Sequence, residues 1–372
     1  MLALEILTAC LLAGSIVYSV LVVVAARNFL RQTTAPASET APISVLKPLA
    51  GVDEGLEENL RSFFTQQHPQ FELLFAVREA DDPAVLVVEA LQREFPALPS
   101  RLIVTGEPPY PNAKVFSLDR MLAEARHDLL VMSDSDIRVA PGFLESIARE
   151  FADPRIALAT CPYRAVAGRS LWSELEAEGM NTEFLGGLLV ARMLEGVKFA
   201  VGPTVAARRK ALEAIGGFPV LKDYLAEDFV MGKFASEAGF GVVLSRNIVE
   251  HRIGSQSWRA SARHRLRWAR STRRSRPLGY IGQVFTHSLA IALAAAVLGP
   301  GWWPAALAAL FARATAAWAT CSWVLKVKPR WGLLALEDLL GFGFWLAGFL
   351  GNTIIWRGRR YYLYSDGRFE LR

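Results

Sequence analysis

Cysteine is nearly missing from this chain, with only Cys10, Cys161 and Cys321 in 372 residues. Two lie in apolar segments and one in the block between them, which excludes a disulfide framework and a cysteine metal site. A strong charge of one sign is also lacking. Forty-one Lys and Arg against 36 Asp and Glu leave a net charge of +5, and the excess gathers beside apolar segments. That is expected next to anionic lipid and implies no nucleic-acid partner. From Leu2 to Ala26 charge is almost absent, Glu5 being the exception. The run has no positive flank before its apolar core and no small-residue cleavage site after it, so it is not a cleavable signal peptide.

At about 25 residues the same run is long enough to span a bilayer. Arg27 and Arg31 put its C-terminal end in the cytoplasm. A hydrophobic content of 52% and a positive mean hydropathy of +0.25 are high for a soluble enzyme. The composition divides the chain into an N-terminal anchor (1–27) and a Thr-, Ala-, Pro- and Ser-rich linker (28–41). An α/β domain ending in a juxtamembrane basic helix (42–279), C-terminal membrane segments (280–356) and a basic cytoplasmic tail (357–372) follow. Three apolar stretches compete for the membrane region: Ile281 to Leu298, Trp302 to Leu325, and Leu339 to Trp356. A cytoplasmic tail requires an even number of spans there, so one stretch is expected to be re-entrant or interfacial. Glu337 and Asp338 make the region before the last a poor lipid-facing helix.

Within the α/β block, strands at Ile43 to Leu46, Phe71 to Val77, Arg101 to Val104 and from Leu129 alternate with helices from about Glu54, through Arg93, and around Val115 to Ala125. Alternation of this kind predicts a doubly wound parallel sheet with ligands at the carboxyl ends of its strands. The fourth strand, Leu129-Leu130-Val131-Met132-Ser133, stops on Asp134-Ser135-Asp136. Two acids at i and i+2 can share a hard divalent cation facing a nucleotide diphosphate, and the same pattern also serves as an ordinary turn.

Five motifs stand in order around that doublet: Lys47-Pro48-Leu49-Ala50-Gly51-Val52-Asp53, Asp81-Asp82-Pro83-Ala84, Asp134-Ser135-Asp136-Ile137-Arg138-Val139, Leu225-Ala226-Glu227-Asp228 and Arg267-Trp268. Together, between an anchor and C-terminal membrane segments, they resemble ceramide glucosyltransferases and their bacterial relatives, including hopanoid-associated glycosyltransferases. The resemblance implies a GT-A, Rossmann-like nucleotide-sugar domain held at the inner membrane with its catalytic face in the cytoplasm. It implies an inverting hexosyltransferase that uses Mg2+ or Mn2+ to move glucose or N-acetylglucosamine from a UDP-sugar to a ceramide-like or hopanoid lipid.

On that resemblance Asp82 lies near the nucleoside, Asp134 and Asp136 take the metal and diphosphate, and Asp228 is the general base. Lys114, after Asn112-Ala113, touches the nucleotide. Arg267 and Trp268 hold the diphosphate and line the sugar or acceptor pocket. The box departs from the family pattern in having His264 where glutamine or arginine is usual. The residues also have plainer uses: Asp82-Pro83 as a helix start, Glu227-Asp228 as acids at a helix N-terminus, and the arginines from Arg259 to Arg274 as lipid-facing charge. Two other functions are weighed against transfer to lipid. A processive polysaccharide synthase shares these motifs but generally has more spans, and a catalytically silent scaffold would not need the full set of acids.

Overall fold

Residues 2–32 and 41–372 are described by the computed structural model, so most of the expected linker, 33–40, lies outside the described residues. Strands buried on both faces need apolar side chains on both, and β1 (Ile43–Pro48), β2 (Phe71–Val77) and β4 (Leu129–Ser133) supply them. With β3 (Ser100–Val104) they form a parallel run in the order β3-β2-β1-β4. The period of two along β1 sends Ile43 and Val45 to one face, against Leu60 and Phe63, and Leu46 to the other, against Val115 and Met121.

Beyond β4 the expected parallel order gives way to a mixed sheet. β8 (Thr204–Arg208) is antiparallel to β4, and β6 (Ile156–Thr160) and β9 (Gly241–Leu244) complete the order β3-β2-β1-β4-β8-β6-β9. A second sheet joins β5 (Ile137–Arg138), β10 (Val249–Ile253) and β7 (Tyr163–Ala167) in the order β5-β10-β7. β5 follows directly from the acid doublet, and its partner lies more than a hundred residues away.

Among the described residues two helices are long and apolar enough to cross a membrane, Leu2–Leu30 and Trp331–Gly348. The pair Pro277–Thr286 and Ser288–Leu298 would make a third as one span, bent by 62°. The helix Trp303–Trp318 runs on into a π segment, Ala319–Leu325. The last apolar stretch differs from the sequence expectation. Its helix begins at Trp331 and takes in Glu337 and Asp338, which are buried rather than lipid-facing, and it ends at Gly348. Residues after it form β11 (Thr353–Trp356), β12 (Arg359–Leu363) and β13 (Phe369–Leu371), an antiparallel sheet packed through Tyr361 and Phe369 against Leu225.

The two buried acids survive in an apolar region because each has a cationic partner. Arg265 grips Glu337 through two hydrogen bonds of 2.8 and 2.7 Å, and Arg313 meets Asp338 at 3.0 Å. Removing one partner strands a buried charge, so Asp338→Ala is expected to destabilise the protein by about 3–5 kcal/mol. Thermal unfolding in detergent checks this, and Asp338→Ala combined with Arg313→Met should recover most of the loss.

Candidate active site

The carboxyl end of β4 places Asp134 and Asp136 beside residues brought from four other parts of the chain. Lys47, at the end of β1, is fully buried beneath them. Its ammonium donates to the Asp134 carbonyl at 2.8 Å and the Ser133 hydroxyl at 3.3 Å, and sits 3.9 Å over the Phe63 ring. Burial, opposed by the nearby acids, pulls the Lys47 ammonium down to about 7. Its job is to hold the turn that carries the doublet. The motif containing Lys47 was visible in the sequence, but this role was not.

The two acids of the doublet face different partners. Lys114 Nζ lies 2.7 Å from Asp134 Oδ1 and 2.9 Å from Glu227 Oε1, tying β4 to the acid pair at the start of the helix Glu227–Glu237. Burial alone would discharge Lys114, yet those two carboxylates more than offset it and hold its ammonium above the usual range. Asn112 sets this link. Its side chain caps the helix Ala113–Glu124 through Val115 N–H and donates to the Tyr224 carbonyl at 2.8 Å.

Asp136 turns instead to His251, Oδ2 to Nε2 at 3.0 Å. The antiparallel pairing of β5 with β10 sets His251 opposite Ile137, one residue past Asp136. Burial lowers the imidazole and the Asp136 carboxylate more than restores it, leaving His251 above its ordinary value. Asp136 Oδ1 and His251 Nδ1 are both buried without a hydrogen-bond partner. Sequence reading missed His251. Its one signal was being among only five histidines in the chain, inside the alternating strand Val249–Ile253.

Asp228 follows Glu227 on the same helix and lines the same cavity. Burial pushes its carboxyl up to about 7, Glu227 adds to the rise, and Lys114 opposes it. A Cβ placed on Gly202 would stand 3.0 Å from Asp228 Oδ2, closer than most side-chain carbons come, so glycine gives this carboxylate its room. Asp82 sits farther along, both oxygens accepting the Gly51 N–H at 3.0 Å and Oδ1 also accepting Ala84 N–H at 2.9 Å. It therefore starts its helix, as the Asp-Pro reading holds, and also fixes the loop after β1.

The basic helix Trp258–Ser275 divides its arginines. Arg265 is spent on Glu337. Arg270, Arg273 and Arg274 bond the chain after Gly348 through the Leu350, Phe349 and Gly351 carbonyls, the Thr353 carbonyl and the Asn352 side chain. These four are engaged within the protein, which corrects the expectation that they serve lipid head groups. Arg267 makes no hydrogen bond or ion pair with any described residue, lines the cavity, and is pulled down to about 10 by burial. Trp268 packs 5.8 Å from Phe184. His264, at the departing position of the box, pairs with the buried Glu176, which also accepts the Ser261 hydroxyl at 3.0 Å. It clamps this helix to Leu171–Gly179.

Lys114, Asp134, Asp136, His251, Glu227, Asp228, Asp82, His264, Arg267 and Trp268 open on one cavity of about 910 Å³. At one end lie Gly51, Asp53, Arg78 and Asp82, and at the other Tyr18 of the helix Leu2–Leu30, Phe285 of the bent pair, and Glu183, Leu188 and Ala191 from the segment that packs on them. The tail expected as a basic cytoplasmic segment returns here too: Arg357, Arg359 and Tyr361 line the wall, with Trp356 from the last apolar stretch. Arg357 takes φ +47, unusual for a residue with a Cβ, at the turn joining β11 to β12. No described residue pairs with it. Among the described residues no three His, Cys, Asp or Glu side chains are grouped to hold a metal ion.

A mixed sheet with an acid turn at the end of its central strand, closed by a helix carrying a second acid pair, defines a GT-A glycosyltransferase fold. The chain superposes on a mannosyltransferase from Pyrobaculum calidifontis determined with GDP-Man and Mn2+, with a TM-score of 0.58, 19% identity, and coverage of 93% of this chain and 99% of that one. Residues 7–369 match the profile of glycosyl transferase family 21, and the chain belongs to that family. It is 32% identical over 205 residues to ceramide glucosyltransferase 1 of Caenorhabditis elegans, covering 55% of this chain and 44% of the relative. To the ceramide glucosyltransferase of Komagataella phaffii it is 30% identical over 123 residues, covering 32% and 24%. The alignments span less than half the length of these curated relatives.

Proposed function

We propose that this protein is an inverting hexosyltransferase that moves glucose or N-acetylglucosamine from a UDP-sugar to the hydroxyl of a membrane lipid, ceramide-like or hopanoid, at the cytoplasmic face. The observation that carries this reading is the single cavity joining the acid and arginine cluster to the walls of the apolar helices. A lipid acceptor can keep its apolar body in the bilayer while its hydroxyl reaches the acids, which avoids moving that area into water. The ceramide glucosyltransferases among its relatives support the same acceptor class.

Asp228 acts as the base that takes the proton from the acceptor hydroxyl, its carboxyl poised near neutral pH as a catalytic base requires. A single displacement at the anomeric carbon then inverts the configuration. The departing diphosphate gathers negative charge, and the unpaired Arg267 and Arg357 are the cations available to receive it. Asp82 shapes the nucleoside end through Gly51, and Trp268 forms part of the sugar or acceptor wall. Lys114 reaches the nucleotide from its place between Asp134 and Glu227.

A divalent cation, Mg2+ or Mn2+, fits this donor set. The orphaned Asp136 Oδ1 marks Asp136, positioned by His251, as the residue that would hold it, with Asp134 as the second carboxylate of the doublet. Such an ion supplies neutralisation of the diphosphate.

Membranes containing the protein are incubated with radiolabelled UDP-glucose or UDP-N-acetylglucosamine, and the labelled product is identified by mass spectrometry. Label in a glycolipid is expected; label only in free sugar or in a polymer overturns the proposal. Arg357→Ala is expected to raise KM for the donor roughly tenfold, the value of one hydrogen bond to a charged group, with a smaller change in kcat. Initial rates across donor concentration check it, and an unchanged KM removes Arg357 from the site.

A further inference from the structure

At the membrane end of the cavity stands a group of polar side chains that the transfer chemistry does not use. Glu183 belongs to a π segment, Met180–Phe184, that interrupts the helix running from Leu171 to Glu195. Such single-turn insertions push a side chain out of the regular helical path, often at functional sites. Here it brings Glu183 onto the cavity wall, which Tyr18 from the anchor helix and Gln283 from the bent segment also line. None of these three side chains hydrogen-bonds to a described residue. His287 Nε2 lies 3.9 Å from Glu183, and His287 is only 1% exposed with neither ring nitrogen bonded.

The place is built. A Cβ on Gly341 would come within 3.1 Å of the His287 ring and 3.4 Å of Glu183 Oε2, so the helix Trp331–Gly348 offers a glycine where these groups sit. Arg313, fixed by Asp338, donates to Thr182 Oγ1 at 3.3 Å and braces the π segment from behind. Tyr18 stands nine residues before Arg27, roughly 13 Å along the helix axis and on the apolar side of that boundary. A carboxyl group at such depth is expensive unless it meets a partner, and it marks a functional site.

We propose that Glu183, with Tyr18, Gln283 and the buried His287, forms a second acceptor subsite that takes hydrogen-bond donors on the lipid headgroup other than the reacting hydroxyl. A carboxylate accepts hydrogen bonds only, and a phenol and an amide can both give and accept them. The complementary ligand is a lipid whose reacting hydroxyl is accompanied by an amide N–H or a further hydroxyl, with its chain along Leu188, Ala191 and Phe285. A lipid with a single hydroxyl leaves these polar groups unmatched in a region of low dielectric, and the site discriminates against it. This rests on the reading of the protein as a lipid glycosyltransferase and narrows its acceptor.

The test uses the full chain in lipid nanodiscs, with whichever UDP-sugar it turns over. Four acceptors of equal chain length are compared: an N-acyl sphingoid base, its N-methyl amide, its analogue lacking the second hydroxyl, and a diacylglycerol. For the wild type, kcat/KM is expected to fall roughly 10- to 100-fold when the group bonded to Glu183 is removed. The N-methyl and deoxy arms tell the amide from the hydroxyl, and the diacylglycerol should be poorest. In Glu183→Ala that ratio should collapse to within about threefold of one, chiefly through KM. In Glu183→Gln, which keeps an acceptor oxygen, it should stay intermediate. Protection by UDP against thermal unfolding shows that each variant is folded. Equal use of all four acceptors by the wild type overturns the subsite even if no Glu183 variant folds. A preserved ratio in folded Glu183→Ala overturns it as well. Absence of sugar transfer to any lipid defeats the underlying reading, and this proposal with it.

Discussion

Asp228→Asn is expected to lower transfer roughly 10²- to 10⁴-fold, the span that a positioned base contributes, while leaving donor binding nearly intact. The substitution keeps the shape of the side chain beside Gly202 and removes only its ability to take a proton. In the wild type the rate should rise as pH passes upward through about 7, because burial and Glu227 hold the carboxyl protonated below that point. Stability should move the other way. A carboxyl raised in the folded state binds its proton more tightly there than in the unfolded chain. Its stabilising contribution is therefore present at low pH and lost as pH rises through about 7. Asn has no such proton to lose, so above that pH Asp228→Asn should be the more stable protein. Initial rates and melting curves across pH 5 to 9 measure both. An Asn variant that retains near wild-type transfer and the same pH profile would falsify the base assignment.

The second large effect is at the member of the doublet that faces His251. Asp136→Ala is expected to cost about 10²- to 10³-fold in kcat/KM, the magnitude found for removing one electrostatic contact from a developing charge. It should also abolish the stimulation by Mn2+ or Mg2+. His251→Ala should weaken the dependence on metal in the same direction. Asp134→Ala is expected to differ, because it leaves Lys114 paired with Glu227 alone. Titration of each variant with metal after chelation separates these cases. An Asp136→Ala enzyme with a wild-type metal response would remove that residue from the ion's site.

Much of this arrangement was legible in the chain because local chemistry and position along it carried the signal. The apolar run from Leu129 to Ser133 reads as a buried strand, and its abrupt end on Asp134 put the doublet at the sheet's carboxyl edge. Asn112 before Ala113-Lys114 marked a helix start, and the structure forms that cap. What could not be read were pairings between distant segments. His251 reaches Asp136 only because β10 runs antiparallel to β5. The tail looked like solvent-exposed basic charge, and nothing local told that Tyr361 and Phe369 would seat it against Leu225 and swing Arg357 into the cavity. Glu337 and Asp338 argued against a helix in lipid until their partners, Arg265 and Arg313, were in place.

By itself the sequence determined the long apolar N-terminal helix, the order of strands and helices through β4, the acids at the sheet edge and the family, since each depends on neighbours in the chain or on motifs in order. Only the tertiary structure decided which acid meets which cation, which arginines stay free, and where the cavity ends. Charges in a low-dielectric interior are set by the group within a few ångströms, and here that group lies from 20 residues away, for Lys114 and Asp134, to 115, for Asp136 and His251.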